Sequence, residues 1–286
     1  KKNGIQGLDL KDLPVYAEYL DNISSMSLKL HCTSRWMNTG LFKSSGPADI
    51  NSLQALSFVD DVKIVKNPPG RKGDSDKLSF ETDSGLNMYD EPILMLNGQL
   101  VHASDYRGTG KMIAVLDGGF TNTDRISSLN GLRSRNGIIG TYDFVEKREF
   151  IYDYHKHGTA VLSILAGDYQ GYIDGTAIDA DYLLLRTEDT FSEFPVEEDF
   201  WAAGAEFADS AGCDIITSSL GYFKFDDPSM DYKYSDMDGK SAFVTLAAET
   251  AASRGIVVVN SAGNERDNDW IHIIAPSDGA NILAIG

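Results

Sequence analysis

The stretch KMIAVLD, Lys111–Asp117, is a short apolar run that closes on a carboxylate. A run of this kind, without strict apolar–polar alternation, belongs to a strand covered on both faces. Outward from it the same pattern recurs at Asp181–Arg186 (DYLLLR), Asp214–Ser219 (DIITSS), Gly255–Asn260 (GIVVVN) and Asn281–Gly286 (NILAIG). Helical patterns separate these runs: Gly158–Ala166, Val196–Ala211 with its acidic start, and Lys240–Ser253. The alternation predicts an α/β domain, a parallel sheet between two helical layers. Right-handed crossovers then bring the strand carboxyl ends to one edge, where open α/β sheets bind their ligands.

The chain before this region reads differently. Leu13–Ser25 has apolar residues at helical spacing, with Pro14 suited to a first turn. Strand-like runs follow at Ser27–Thr33 and Arg35–Lys43, then a short helix at Pro47–Leu56 and a strand at Phe58–Lys66. The order α-β-β-α-β predicts a small α+β domain over residues 1–66. The polar stretch Asn67–Asn87 opens with Pro and Gly and predicts a linker over 67–88. The α/β domain is then 89–286.

Charge follows the same division. The 286 residues carry 25 Lys+Arg against 43 Asp+Glu, a net −18. Residues 1–88 hold 11 basic and 11 acidic side chains, so the whole excess lies in 89–286. A neutral first unit gives no reason to expect charge attraction between the two. Their docking is expected to rest on strand pairing and apolar burial. The acidic balance also argues against nucleic-acid binding, which needs a basic face. Hydrophobic residues at 42% exclude a disordered acidic tail. Apolar runs of about five residues are far short of the roughly 20 needed to span a bilayer. Cys32 and Cys213 fall in different units and read as buried thiols, neither a disulfide framework nor a zinc site.

Three groups fall at the functional edge. Asp117 ends its strand and is followed by Gly118-Gly119; His157 opens a helix in His-Gly-Thr; Asn264 closes Asn-Ser-Ala-Gly-Asn beyond the Gly255–Asn260 strand. Taken singly, each reads as a cap, a turn or a surface polar group. Together and in this order they are parts for acyl transfer: a carboxylate to orient a histidine base and an amide to meet an oxyanion. Other signals are weaker. Gly108-Thr109-Gly110-Lys111 has the composition of a phosphate loop, but Met112 follows the lysine and a strand comes next. His155, His157 and Asp153 lack a firm third ligand at metal spacing. Asp226, Asp227, Asp231, Asp236 and Asp238 form an acidic loop without an EF-hand pattern, read as solvated or as selecting basic substrate residues.

On these residues the chain resembles the subtilisin-like serine proteases, the subtilases. The matching stretches are Ile113–Gly119 (IAVLDGG), His157–Gly167 (HGTAVLSILAG), Gly175–Ala180 (GTAIDA), Ile215–Gly221 (IITSSLG) and Val257–Asn264 (VVVNSAGN). The resemblance implies a serine endopeptidase made as a zymogen and a subtilisin-like three-layer fold preceded by a prosegment. It also implies roles: Asp117 as triad aspartate, His157 as base, Asn264 as oxyanion donor. Ser219, Leu220 and Gly221 would form the edge that pairs with substrate backbone, and Ala262 and Gly263 would wall the primary specificity pocket. Gly118 departs from the usual Ser or Thr after the aspartate. Residues 1–66 are similar to a prosegment in architecture, though Lys1–Asp12 shows no opening strand, and the prosegment is expected to enter the cleft. Protein or peptide substrates, no required cofactor or metal beyond the structural calcium that many members bind, and a secreted or periplasmic setting are further implications.

No Gly-Thr-Ser segment occurs in the 286 residues, nor a G-x-S-x-G elbow. The resemblance places such a segment on a helix after the strand ending at Gly286. These residues alone are therefore expected to be inactive. The competing reading is a non-catalytic module that binds peptides or proteins through the same cleft.

Overall fold

The computed structural model describes residues 9–67, 77–78 and 91–286. Its centre is a parallel sheet built on β3 (Met112–Asp117), β4 (Ile138–Asp143), β7 (Asp181–Arg186), β8 (Ile215–Ser218), β9 (Val257–Ser261) and β10 (Leu283–Ile285). Their order across the sheet is β10-β9-β8-β3-β7-β4. A short antiparallel pair, β5 (Asp168–Tyr169) and β6 (Ile173–Asp174), lies outside it. Every strand predicted after residue 110 is present. The sequence reading missed β4, whose Ile-Ile-Gly-Thr-Tyr-Asp is broken by Gly140 and carries a register shift between Ile138 and Gly140 against β7.

The apolar run of β3 serves both faces, as a doubly covered strand requires. Ile113 and Val115 pack with Leu129, Leu132 and Leu162, from the side of α5 (Asn130–Ser134) and α6 (His157–Ala166). Ala114 and Leu116 pack on the opposite side with Trp201, Ala205 and Ala248, from α7 (Val196–Ala211) and α8 (Phe243–Ser253). The result is three layers. Two five-residue helices, α3 (Glu91–Met95) and α4 (Gly98–His102), precede β3. Among the described residues no helix is long and apolar enough to cross a membrane.

The amino-terminal unit holds α1 (Ala17–Ser24), the antiparallel pair β1 (Leu28–Ser34) and β2 (Thr39–Ser44), and α2 (Ile50–Gln54). Residues 35–38 form the turn between β1 and β2, so the second strand starts later than predicted, with Asn38 at φ 53°. The predicted strand Phe58–Lys66 is not one: no ladder forms there. Isolated contacts hold it instead. Phe58 stacks on Tyr19 at 4.2 Å, and the Val65 carbonyl accepts the Val196 N–H that opens α7. The expected linker Asn67–Asn87 lies outside the described residues except Asn67, Lys77 and Leu78.

Docking of this unit overturns the expectation that charge plays no part. Glu206 on α7, only 8% exposed, accepts Ser34 Oγ at 2.5 Å and the N–H groups of Arg35 and Trp36 at 3.1 Å. Arg35 reaches Asp209 at 3.4 Å, and Arg254 on the α8 side pairs with Asp9 at 2.9 Å and Asp12 at 3.0 Å. His31 Nε2 donates to the Phe144 carbonyl at 2.7 Å, and Trp36 and Leu41 are buried in the α7 core. Net neutrality hid this, because local pairing depends on where charges lie and not on their sum. E206A leaves three donors without an acceptor under the turn, and each such loss costs about 1–3 kcal/mol. Urea unfolding should show a loss of at least about 3 kcal/mol, the low end for three such groups, with faster proteolysis within residues 9–67; an unchanged midpoint would remove Glu206 from the docking account.

Candidate active site

Asp117 closes β3 with no solvent exposure. Its Oδ1 accepts the Gly118 N–H at 2.7 Å, and both carboxylate oxygens lie 2.9 Å from His157 Nδ1. Burial pushes the Asp117 carboxyl above its ordinary range, opposed by the hydrogen bond from His157 and by the Gly118 N–H. His157 is the first residue of α6, its side chain 17% exposed, so the ring meets the carboxylate on one side and solvent on the other.

The turn of α6 can come this close only because of Gly158. A Cβ there would lie 2.6 Å from the Gly119 carbonyl oxygen and 2.9 Å from Asp117 Cβ. The loop before His157 is held by a buried cation. Arg186, at the end of β7 beside Asp117, is fully buried, pairs with buried Asp143 at 2.9 Å, and lies 3.2 Å from the centroid of the Tyr154 ring. The sequence reading did not pick out Arg186, which looked like an ordinary polar strand end. Asp153, weighed there as a metal ligand, is instead paired with Arg148 at 2.8 and 2.9 Å.

The other predicted residues share this edge. Ser219, Leu220 and Gly221 continue from β8, adjacent to β3. Ala262, Gly263 and Asn264 continue from β9, one strand further. Asn264 is exposed and follows β9, two strands from β3 in the sheet order. Asn260 ties the two segments together, its amide donating to the Leu220 carbonyl at 2.9 Å and to Ser277 Oγ at 3.2 Å.

Between these segments lies a side chain that sequence reasoning missed. Ile274, 6% exposed, donates its backbone N–H to the Ala262 carbonyl, while the next residue, Ala275, accepts the Tyr222 N–H. A Cβ on Gly221 would sit 2.6 Å from Ile274 Cγ1, and one on Gly263 would sit 2.9 Å from the same atom. Both glycines thus leave room for Ile274. Nothing in the flanking WIHIIAPSD sequence signalled this, since Ile274 lies in the short apolar run Ile273–Ala275, which reads as ordinary core.

The acidic loop spends much of its charge on its own backbone. Asp227 caps Ser229, Asp231 accepts the Phe225 N–H, Asp236 accepts the Lys233 N–H, and Asp238 accepts those of Lys240 and Ser241. Among the described residues the carboxylates close enough to share an ion are three others: Glu188, Glu193 and Glu197, around the start of α7.

The chain is similar to known proteins over most of its length. Residues 108–286 match the family described as the Subtilase family, and residues 1–78 match the Peptidase S8 propeptide domain of Bacteroidota. The chain is 28% identical over 213 residues to the major intracellular serine protease of Bacillus subtilis (strain 168), covering 70% of this chain and 58% of that protein. It is 25% identical over 253 residues to the minor extracellular protease Vpr of the same organism, covering 82% of this chain and 28% of that one. The chain thus spans less than two thirds of the length of either relative. The solved structure of the MycP3 protease from the type VII (ESX-3) secretion system shares the fold, with a TM-score of 0.51 and 21% identity over 72% of this chain and 59% of its own.

Proposed function

The chain belongs to the subtilase family, and on that premise we propose that it carries the propeptide and the Asp–His part of the catalytic domain of a serine endopeptidase. The observation that carries this reading is the buried Asp117 carboxylate 2.9 Å from Nδ1 of a partly buried His157 at the strand-end edge. With its proton held on Nδ1 by Asp117, the imidazole presents the Nε2 lone pair outward. Nε2 takes the proton of a serine hydroxyl as its oxygen attacks the scissile carbonyl, and Asp117 stabilises the imidazolium that forms. The Asn264 amide donates to the oxyanion. His157 then returns the proton to the leaving amine, and water repeats the sequence on the acyl-enzyme.

Substrate backbone lies along Ser219–Gly221, the segment held in place by Asn260, by addition of a strand. Residues 1–286 contain no Gly-Thr-Ser, so on this reading they hydrolyse no peptide by themselves. The propeptide at residues 1–78 supports synthesis as a zymogen. Export is part of the same proposal, supported by the extracellular relative; the intracellular one shows that the family does not demand it.

Peptide hydrolysis and fluorophosphonate labelling of the whole protein test this directly. D117N should lower kcat on the order of 10⁴-fold, N264A by about 10²–10³-fold, and residues 1–286 alone should not label. Peptide binding with no turnover in the whole protein would support the non-catalytic module instead.

Ile274 narrows the proposed primary pocket, because it fills the space between Gly221 and Gly263. Small residues, Gly or Ala, are expected before the cleaved bond. I274G should raise kcat/KM for a Phe substrate relative to Ala by roughly tenfold or more, the scale of lost steric exclusion in an apolar pocket. Equal use of Phe and Ala by the unaltered protein would contradict this role.

A further inference from the structure

Four polar groups around the first turn of α7 converge on one ammonium. Lys77 Nζ lies 2.6 Å from Glu188 Oε1, 2.7 Å from Glu193 Oε2, 2.8 Å from Glu197 Oε1 and 2.9 Å from the Ser192 carbonyl oxygen. The side chains of Glu188 and Glu197 are 3% and 0% exposed, and that of Lys77 is 19% exposed. Tyr222, fully buried just beyond the Ser219–Gly221 edge, donates its hydroxyl to Glu188 Oε2 at 2.9 Å. Glu197 also accepts the N–H groups of Asp189 and Phe194, which fixes its carboxylate.

This is an unusual place to bury acid. Three carboxylates with ligand atoms within 4.8 Å of one another repel, and burial raises the cost of each charge. Burial and the neighbouring Glu188 push the Glu197 carboxyl well up, and burial pushes Glu193 up to about 7. Burial opposes the charge on Lys77 too, yet the three glutamates hold its ammonium well above its ordinary range. The cluster is arranged for a cation, and the cation present arrives from the polar stretch between the two units.

The next residue connects the pocket to the catalytic centre. Leu78 packs against Gly118, the residue after Asp117, where a Cβ would also lie 2.9 Å from Thr190 Cγ2 and 3.6 Å from Glu188 Cβ. The pocket and the catalytic aspartate therefore share a wall. One dipeptide, Lys77-Leu78, spans both.

We propose that Glu188, Glu193, Glu197 and the Ser192 carbonyl form a substrate subsite for a lysine side chain, and that Lys77 occupies it in cis. This rests on the endopeptidase reading and adds the substrate class: polypeptides with a lysine followed by an aliphatic residue. The acceptors suit an ammonium, whose three N–H donors diverge, better than the planar fork of a guanidinium. The carboxylates that open α7 in the sequence, Glu197 and Glu198, looked like dipole-matching helix starts. Lys77 lies 111 residues before Glu188, too far in sequence to give a shared signal with the glutamates.

The test is binding in trans to the K77A chain, whose pocket is vacated. The probe is a fluorescent Ser-Asp-Lys-Leu-Ser-Phe peptide, residues 75–80, compared with its norleucine and arginine counterparts by anisotropy. The lysine peptide should bind K77A at least about tenfold tighter than the norleucine peptide, since charge-assisted hydrogen bonds are among the stronger ones. It should bind the unaltered chain more weakly than K77A, and adding E188Q and E197Q should remove the preference for lysine. Equal affinity for the lysine and norleucine peptides, or no binding to folded K77A, overturns the subsite. If K77A does not fold, kcat/KM of the whole protein for the same peptides decides: a lysine preference supports the subsite and indifference overturns it. The two readings fail separately. Lysine-selective binding to K77A with no peptide hydrolysis by the whole protein removes the endopeptidase and keeps the pocket; hydrolysis by the whole protein that is indifferent to lysine does the reverse.

Discussion

A carboxylate sealed from solvent at the end of the sheet's inner strand constrains everything around it. Asp117 can be buried only where donors meet it, since an unpaired buried charge costs several kcal/mol or shifts to its neutral form. Gly118 supplies one donor from the backbone and His157 the other from the start of α6. That places the first turn of α6 against β3, and Gly158 is the residue that lets it approach. The Arg186–Asp143 pair, stacked beneath Tyr154, holds the incoming loop from the neighbouring strands. The candidate chemistry is therefore an outcome of how the core closes at one edge.

The acidity of the chain has a structural meaning that its sum conceals. Glu188, Glu197, Glu198 and Glu206 are all buried around α7. Glu206 receives the β1–β2 turn, Glu198 receives the Tyr232 hydroxyl and the Val244 N–H, and Glu188 and Glu197 receive Lys77. One helix thus serves as the platform for the amino-terminal unit and for the segment that follows it. Charge holds the two units together through a few directed contacts, which a neutral total for residues 1–88 could not reveal.

Much of this architecture was legible in the sequence because burial on both faces leaves continuous apolar runs. Asp117 and His157 were legible because each stands at the end or start of such a run, followed by glycine. β4 was not, since Gly140 interrupts its pattern and its register shifts. Phe58–Lys66 has the composition of a strand but pairs with none, held instead by the Phe58–Tyr19 stack and the Val65–Val196 hydrogen bond. Ile274 and the lysine pocket escaped for one shared reason: each is made by residues whose meeting depends on loop paths. Ile274 comes to Gly221 and Gly263 along the chain that leads into β10, and Lys77 comes to α7 from the stretch between the two units.

The central claim is that Asp117 fixes the His157 ring with its proton on Nδ1, leaving Nε2 to act as the base. Proton–nitrogen NMR of the folded chain with labelled histidine tests it without requiring turnover. The account predicts a strongly downfield Nδ1–H resonance for His157 that disappears in D117N while the fold persists. A His157 protonated on Nε2, or a resonance indifferent to Asp117, would contradict it.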